Sequence, residues 1–328
     1  MRRILLSLLI VLLAAVAALG WWVGRPLPLA GGEIEVGVPA GASLRTAANQ
    51  AVQAGVRWPP ELLYAYFRMM GRQQTIQPGD YQIRRGRTAA ALLAKLVRGE
   101  RIMLSLTLVE GWTFRQVRQA LAQAPGLRHD SADLTPEQIM AALGAPGVAP
   151  EGRFFPDTYR YPKHAASELG LLRQAQQLMR QRLAAAWDAR APNLPLKSPD
   201  EALILASIVE KETGRAADRA EIAGVFINRL RIDMPLQTDP TVIYGLGEAF
   251  DGNLRRHHLR ADTRFNTYTR RGLPPTPIAM PGKAALMAAV QPAATQALYF
   301  VARGDGSSQF SRTLDEHNRA VDRYQRGR

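Results

Sequence analysis

The sequence predicts an α+β fold. A single N-terminal membrane span leads into small strand–helix units, which form a membrane-proximal module. A larger, helix-rich domain with a few strands follows. Three observations predict this arrangement: an uncharged apolar run close to the N-terminus, a strand–turn–helix pattern that occurs three times, and a later stretch dominated by helix-period apolar residues.

The span comes first. Arg2 and Arg3 form a short cytoplasmic tip (1–3) ahead of residues 4–23, which carry no charge and are almost wholly apolar. At a helical rise these residues cover about 30 Å, enough to cross the hydrocarbon core. Trp21 and Trp22 stand at the far end, where indoles favour the interface. Ala15-Val16-Ala17 offers an A-x-A cleavage site and with it the alternative of a signal peptide. The apolar run continues well past that site, so it reads as an uncleaved anchor. Basic residues before it put the N-terminus in the cytoplasm, with Arg25 weakening the asymmetry. Everything beyond about Arg25 then lies outside the cytoplasm, which argues against genomic DNA or ribosomes as partners. Residues 24–32, with Gly24, Pro26, Pro28, Gly31 and Gly32, read as a tether.

The recurring unit follows. Ile34–Val38 alternates like a strand, Gly41-Ala42-Ser43 makes the turn, and a helix runs to about Ala54. The same order returns at Tyr81–Ile83, Gly86-Arg87-Thr88 and a helix to Val97, and again at Leu104–Val109, Gly111-Trp112-Thr113 and a helix to Ala124. Gly supplies the turn and Ser or Thr the N-cap. Arg45 and Arg115, and Gln53-Ala54 and Gln123-Ala124, keep the same offset, which fits either an old duplication or the general likeness of such units. One short helix is expected at Pro136–Leu143. The aromatic cluster from Phe154 to Tyr161 reads as loop; it either packs the fold or walls a sugar site, since aromatic faces suit pyranose rings. An amphipathic helix is expected from about Ala166 to Ala189.

Composition narrows the function. Forty-two Lys and Arg against 28 Asp and Glu give a net charge of +14. That charge fits a polyanionic neighbour (nucleic acid, an anionic membrane surface or an anionic wall polymer), or simply a basic solvated surface. No zinc-finger spacing and no RNP-type aromatic motif points to nucleic acid. The absence of cysteine excludes disulfides and Cys-based metal sites.

The chemistry concentrates further on. Ser198-Pro199-Asp200-Glu201 starts a helix, with Ser198 as cap, Pro199 at N1 and Glu201 completing a capping box. Residues 202–209 are apolar nearly all round, the mark of a buried helix. Glu210 and Glu212 fall in its last turn, before Gly214. A carboxylate at the negative end of the helix dipole, behind an apolar wall, keeps its proton to higher pH, as a general acid for a glycosidic oxygen requires. Glu210 therefore reads either as that acid or as half of a buried ion pair with Arg229 or Arg231. Glu212, two positions on, projects to the other side, so one of the two can be buried while the other is solvated, and they do not form a catalytic pair. Asn228 ends the next helix. Gln237, Asp239 and Tyr244, then Asn266 and Tyr268, place amide, carboxylate and phenol groups in loops suited to sugar hydroxyls and acetamido groups, although turns use the same residues.

Together, 206–212 (ASIVEKE), 225–230 (VFINRL), 236–245 (LQTDPTVIYG), Asn266-Thr267-Tyr268 and Gly272-Leu273-Pro274-Pro275 closely resemble the YceG-like family of bacterial endolytic murein transglycosylases. The resemblance covers nearly the whole chain. It implies a LysM-like subdomain at 33–105 and a catalytic domain at 106–328. It places the catalytic glutamate on Glu210 and implies a lyase reaction on peptidoglycan glycan strands that leaves a 1,6-anhydro end. Gln237, Asp239, Tyr244, Asn266, Tyr268 and Asn228 become the substrate-positioning candidates. The family's aromatic loop matches Phe154–Tyr159. No metal and no organic cofactor is implied. The bacterial inner membrane is the implied location, with the catalytic domain on the periplasmic side and membrane-bound peptidoglycan synthases as neighbours. Ser308 stands where the family often has His, two residues before Phe310, while His317 remains nearby. A glycan-binding scaffold that does not cut, and a hydrolytic muramidase, are the alternatives.

Overall fold

The computed structural model describes residues 7, 9–11, 13, 14, 20–71, 75–212 and 214–327. Among them no helix is long and apolar enough to cross a membrane. The span expected at 4–23 falls in large part, and the tip at 1–3 wholly, on residues outside the described set. The chain is mixed α+β, rich in helix, with three two-stranded sheets among the described residues. It divides into two compact units. The first comprises Met1–Ser105, Pro125–Arg128 and Arg160–Ser167; the second comprises Leu106–Ala124, His129–Tyr159 and Glu168–Arg328.

In the first unit β1 (Glu33–Val38) leads to helices α1 (Leu44–Gln53) and α2 (Pro60–Met70), then β2 (Gly79–Arg84) and helix α3 (Ala89–Arg98). The two strands pair antiparallel with Ile34 opposite Ile83 and Val36 opposite Tyr81. Period-2 alternation puts these side chains inward, against Ala47, Leu63, Phe67, Leu92 and Leu96. Ser43 and Thr88 cap α1 and α3 as the sequence predicts, accepting from the N–H of Thr46 and Ala91. The tether expected at 24–32 is instead partly built in. Leu27 and Leu29 are buried, Pro26 and Leu29 bridge to Thr88 and Val56, and the Leu27 N–H donates to the Arg87 carbonyl at 2.8 Å. Burying Leu27 and Leu29 in this core outweighs the freedom that a Pro- and Gly-rich tether would keep.

Strands β3 (Met103–Thr107) and β4 (Thr158–Pro162) pair with each other. The expected aromatic loop therefore ends as a strand. Phe154, Phe155, Tyr159 and Tyr161 are all buried, and Phe154 stacks on Phe114 with ring centroids 5.2 Å apart. The cluster is a packing element, which decides between its two readings.

The second unit adds α4 (Phe114–Ala122), α5 (Pro136–Ala142), α6 (Glu168–Asp188), α7 (Pro199–Glu212), α8 (Ala216–Arg231), α9 (Asp239–Leu246), α10 (Arg256–Arg260) and α11 (Lys283–Val290). A hairpin of β5 (Tyr299–Ala302) and β6 (Ser308–Ser311) and helix α12 (Leu314–Gln325) complete it. Helix α7 is its centre. Ala202, Leu203, Leu205, Ala206, Ile208 and Val209 are each no more than 1% exposed, and α6, α8, α9 and α11 pack against it. The start is capped as expected, with the Glu201 N–H on Ser198 Oγ at 3.3 Å, though the Glu201 carboxylate reaches back one residue further, to the Lys197 N–H at 2.6 Å. Arg229, 7% exposed, ties the end of α8 to two loops by donating to the carbonyls of Leu298 (2.7 Å) and Leu236 (2.8 Å).

Removing the stacked ring should be costly. F154A is expected to destabilise the second unit by about 3–5 kcal/mol, the usual range for a buried Phe cut to Ala, read from urea denaturation.

Candidate active site

The loop before α11 is fastened to α7 at two points one helical turn apart. The Ile278 N–H donates to Ser207 Oγ at 3.0 Å, and the Gly282 N–H donates to Glu210 Oε2 at 2.8 Å. Glu210 thus ends a dry helix with its carboxyl held by one backbone donor. Its side chain is 7% exposed, and Arg219 on α8 places a guanidinium nitrogen 4.0 Å from Oε1. Burial raises the Glu210 carboxyl above its ordinary value and the charge of Glu110 adds to this; the Gly282 N–H, Arg219 and Lys211 oppose it. The helix-end argument therefore has the right sign. The expected ion-pair partners do not: Arg229 serves backbone carbonyls, and Arg231 donates to the Asn193 carbonyl and to Asn228 Oδ1. Their positions on α8 point them at those loops, whereas Arg219, three turns earlier, faces α7.

Glu212 corrects a second expectation. It does leave the Glu210 side of the helix, but not for solvent. It accepts a short hydrogen bond from the Thr238 hydroxyl, and burial, with Asp239 nearby, pushes its carboxyl up to about 7. Position along a helix fixes direction; whether a loop covers that direction is a tertiary matter.

A cleft of about 720 Å³ opens beside this helix end. Lys211, Tyr244, Ile243 and Ile278 contribute to its wall, with Arg115 and Glu151 from earlier in the chain. Glu210 is not in that wall; its chain neighbour Lys211 is. Glu151 is buried, accepts from the Phe114 N–H at 3.0 Å and from the Tyr244 hydroxyl at 3.1 Å, and is pushed by burial up to about 7. No sequence signal marked it: Glu151 stands between Pro150 and Gly152 and its two partners are far away in the chain.

The predicted positioning residues divide sharply. Tyr244, on α9 and not in a loop as expected, lines the cleft. Asp239 and Tyr268 join each other, with the phenol donating at 2.6 Å. Gln237 is exposed, with a left-handed backbone (φ 49°), its N–H on the Thr267 carbonyl. Asn266 is buried and turned inward; its amide donates to the carbonyls of Leu259 (3.0 Å) and Ala261 (2.7 Å) and accepts from the Tyr268 N–H (2.8 Å). Asn228 likewise donates to the carbonyls of Thr295 and Ala297. Both asparagines fasten loops through these bonds. Ser308 donates its N–H to Asp218 at 2.6 Å, and His317 stacks on Tyr299.

The family model for the YceG-like family matches residues 36–323. This chain belongs to that family. It is 29% identical over 316 residues to a protein of Bacillus subtilis (strain 168) named endolytic murein transglycosylase, covering 89% of this chain and 84% of that one. A Streptococcus pneumoniae protein of the same name is 26% identical over 324 residues; the match takes in 88% of this chain and only 58% of the length of that relative. A solved YceG-like protein of Listeria monocytogenes is 27% identical, with a TM-score of 0.54, over 88% of this chain and 98% of that one.

The buried carboxyls make stability depend on pH. A carboxyl raised to about 7 binds its proton more tightly folded than unfolded, so its contribution is complete below the unfolded value near 4.5 and is lost as pH rises through about 7. Wild type should therefore lose more stability than E151Q between pH 5 and pH 8, as urea midpoints at the two pH values will report.

Proposed function

We propose that this chain is an endolytic peptidoglycan lytic transglycosylase in which Glu210 serves first as acid and then as base. The observation that carries the reading is the placement of Glu210 at the end of a buried helix, held by the Gly282 N–H, its carboxyl raised by burial, and next to a cleft of sugar-binding size. The names of the Bacillus and Streptococcus relatives support the substrate class.

In the proposed reaction Glu210 gives its proton to the oxygen joining N-acetylmuramic acid C1 to N-acetylglucosamine. The C1–O bond breaks and positive charge develops at C1. The Glu210 carboxylate then takes the proton of the muramoyl C6 hydroxyl, whose oxygen bonds to C1 and closes the 1,6-anhydro ring. No water is consumed, and Glu210 ends protonated. Because the sugar supplies its own nucleophile, a second carboxylate at hydrolase spacing is not required. Arg219 favours the carboxylate between the two transfers, and the Gly282 N–H fixes its orientation. Tyr244 and Lys211 in the cleft wall are the groups placed to meet sugar.

The rest of the reading concerns place. The apolar run at 4–23 would anchor the chain in the bacterial inner membrane, with the enzyme on the periplasmic side beside membrane-bound synthases, where cutting a nascent strand ends its growth. The compact β1–α1–α2–β2 unit is the candidate LysM-like glycan-binding module, and the net charge of +14 suits anionic lipid and wall polymer.

Mass spectrometry of digested glycan strands tests the chemistry. Wild type should yield anhydro-muramoyl ends, and E210Q should lose them by at least about 100-fold, the lower range for loss of an acid–base group. Reducing ends would identify a muramidase; an E210Q protein that still cuts, or a wild type that binds without cutting, would contradict the assignment.

A further inference from the structure

Glu110 enters the Glu210 site from a different part of the chain. The turn between β3 and α4 is stitched to the loop before α11: the Gly111 N–H donates to the Met280 carbonyl at 2.9 Å, and the Met280 N–H donates to the Trp112 carbonyl at 2.7 Å. Lys211 Nζ donates to the Gly111 carbonyl at 3.3 Å. This pairing lays the Glu110 carboxylate directly on Gly282, so closely that a Cβ there would lie 1.8 Å from Glu110 Oε1. The N–H of the same Gly282 is the donor to Glu210. Two carboxyl groups thus meet at one glycine, one exposed and one buried, with Arg219 on α8 against the buried one.

We infer that Glu110 is a positioning residue of the Glu210 site, the fixed negative charge that holds the proton on Glu210 until the glycosidic oxygen takes it, balanced by Arg219, which holds the carboxylate that remains. The part concerning catalysis rests on the lytic reading above. Glycine at 282 belongs to the device, because any side chain there would expel the Glu110 carboxylate. Gly111, in the same turn, has φ +78°, which favours glycine. The charges that face Glu210 among the described residues are Glu110 from the β3–α4 turn, Arg219 from α8 and Lys211 from its own helix. The loop before α11 contributes only its backbone N–H. Removing Glu110 and removing Arg219 must therefore act in opposite directions.

Carbon-13 carboxyl labelling of glutamate gives a direct reading. The Glu210 resonance, assigned by its loss in E210Q, is followed through pH in the folded full chain. E110Q should lower its midpoint by about half a pH unit or more, R219Q should raise it by a similar amount, and E110D should fall between E110Q and wild type. The alkaline limb of anhydro-product formation should move with the midpoint in each variant. Glu110 is exposed, so E110Q should fold as wild type does, which thermal melting will check. A Glu210 midpoint unchanged in folded E110Q overturns the inference. If the midpoint moves as expected while E210Q still makes anhydro ends, the charge partnership stands and the catalytic reading falls.

Discussion

The hydrogen bond from the Gly282 N–H to the Glu210 carboxyl fixes the geometry on which the rest of the site depends. It joins the end of a helix with a fully buried apolar wall to the loop that also touches Glu110. Helix α7 provides the dry side, with Val209, Ile208 and Ala206 fully enclosed. The loop provides a single donor where a carboxylate in water would have several. A group with one donor and little water is reluctant to ionise, yet the donor and Arg219 keep ionisation within reach. That intermediate state is what an acid that must also serve as a base requires.

The neighbouring polar groups have a different task. Glu151, Glu212, Asn228, Asn266 and Arg229 bind backbone N–H and carbonyl groups or hydroxyls at the ends of helices and in loops. Together they hold the chain around α9 and α10, and the stretch from Thr295 to Leu298, in place. Leaving such groups unpaired costs far more than pairing them gains, so each bond mainly excludes other loop conformations. Helix α9 and the loop before α11 carry Tyr244 and Ile278 to the cleft wall.

That division explains what could be read from the sequence. Helix starts were legible because caps are local: Ser43, Thr88, Thr113 and Thr135 each bond an N–H three residues on. The burial of Glu210 was legible because its own helix supplies the wall. Its partners were not, since Glu110, Arg219 and Gly282 come together only through tertiary pairing. Glu212 was misjudged for the same reason; Thr238 covers a direction that helix geometry alone leaves open. Asn266 and Asn228 show a different limit. An amide in a motif looks the same whether it binds sugar or backbone, and only the structure reveals carbonyls at 2.7 and 2.8 Å. The tether failed because Leu27 and Leu29 found a core that the Pro and Gly around them did not advertise.

In the proposed reaction the Glu210 carboxyl meets the bond that breaks. A structure of E210Q bound to a glycan oligomer measures this directly, as the distance from the residue 210 side chain to the scissile glycosidic oxygen. The expected distance is within hydrogen-bond reach, about 2.6–3.2 Å, with the strand lying along the cleft walled by Tyr244, Lys211 and Ile278. A strand bound with that oxygen out of reach of residue 210, and facing another carboxyl such as Glu151, would contradict it.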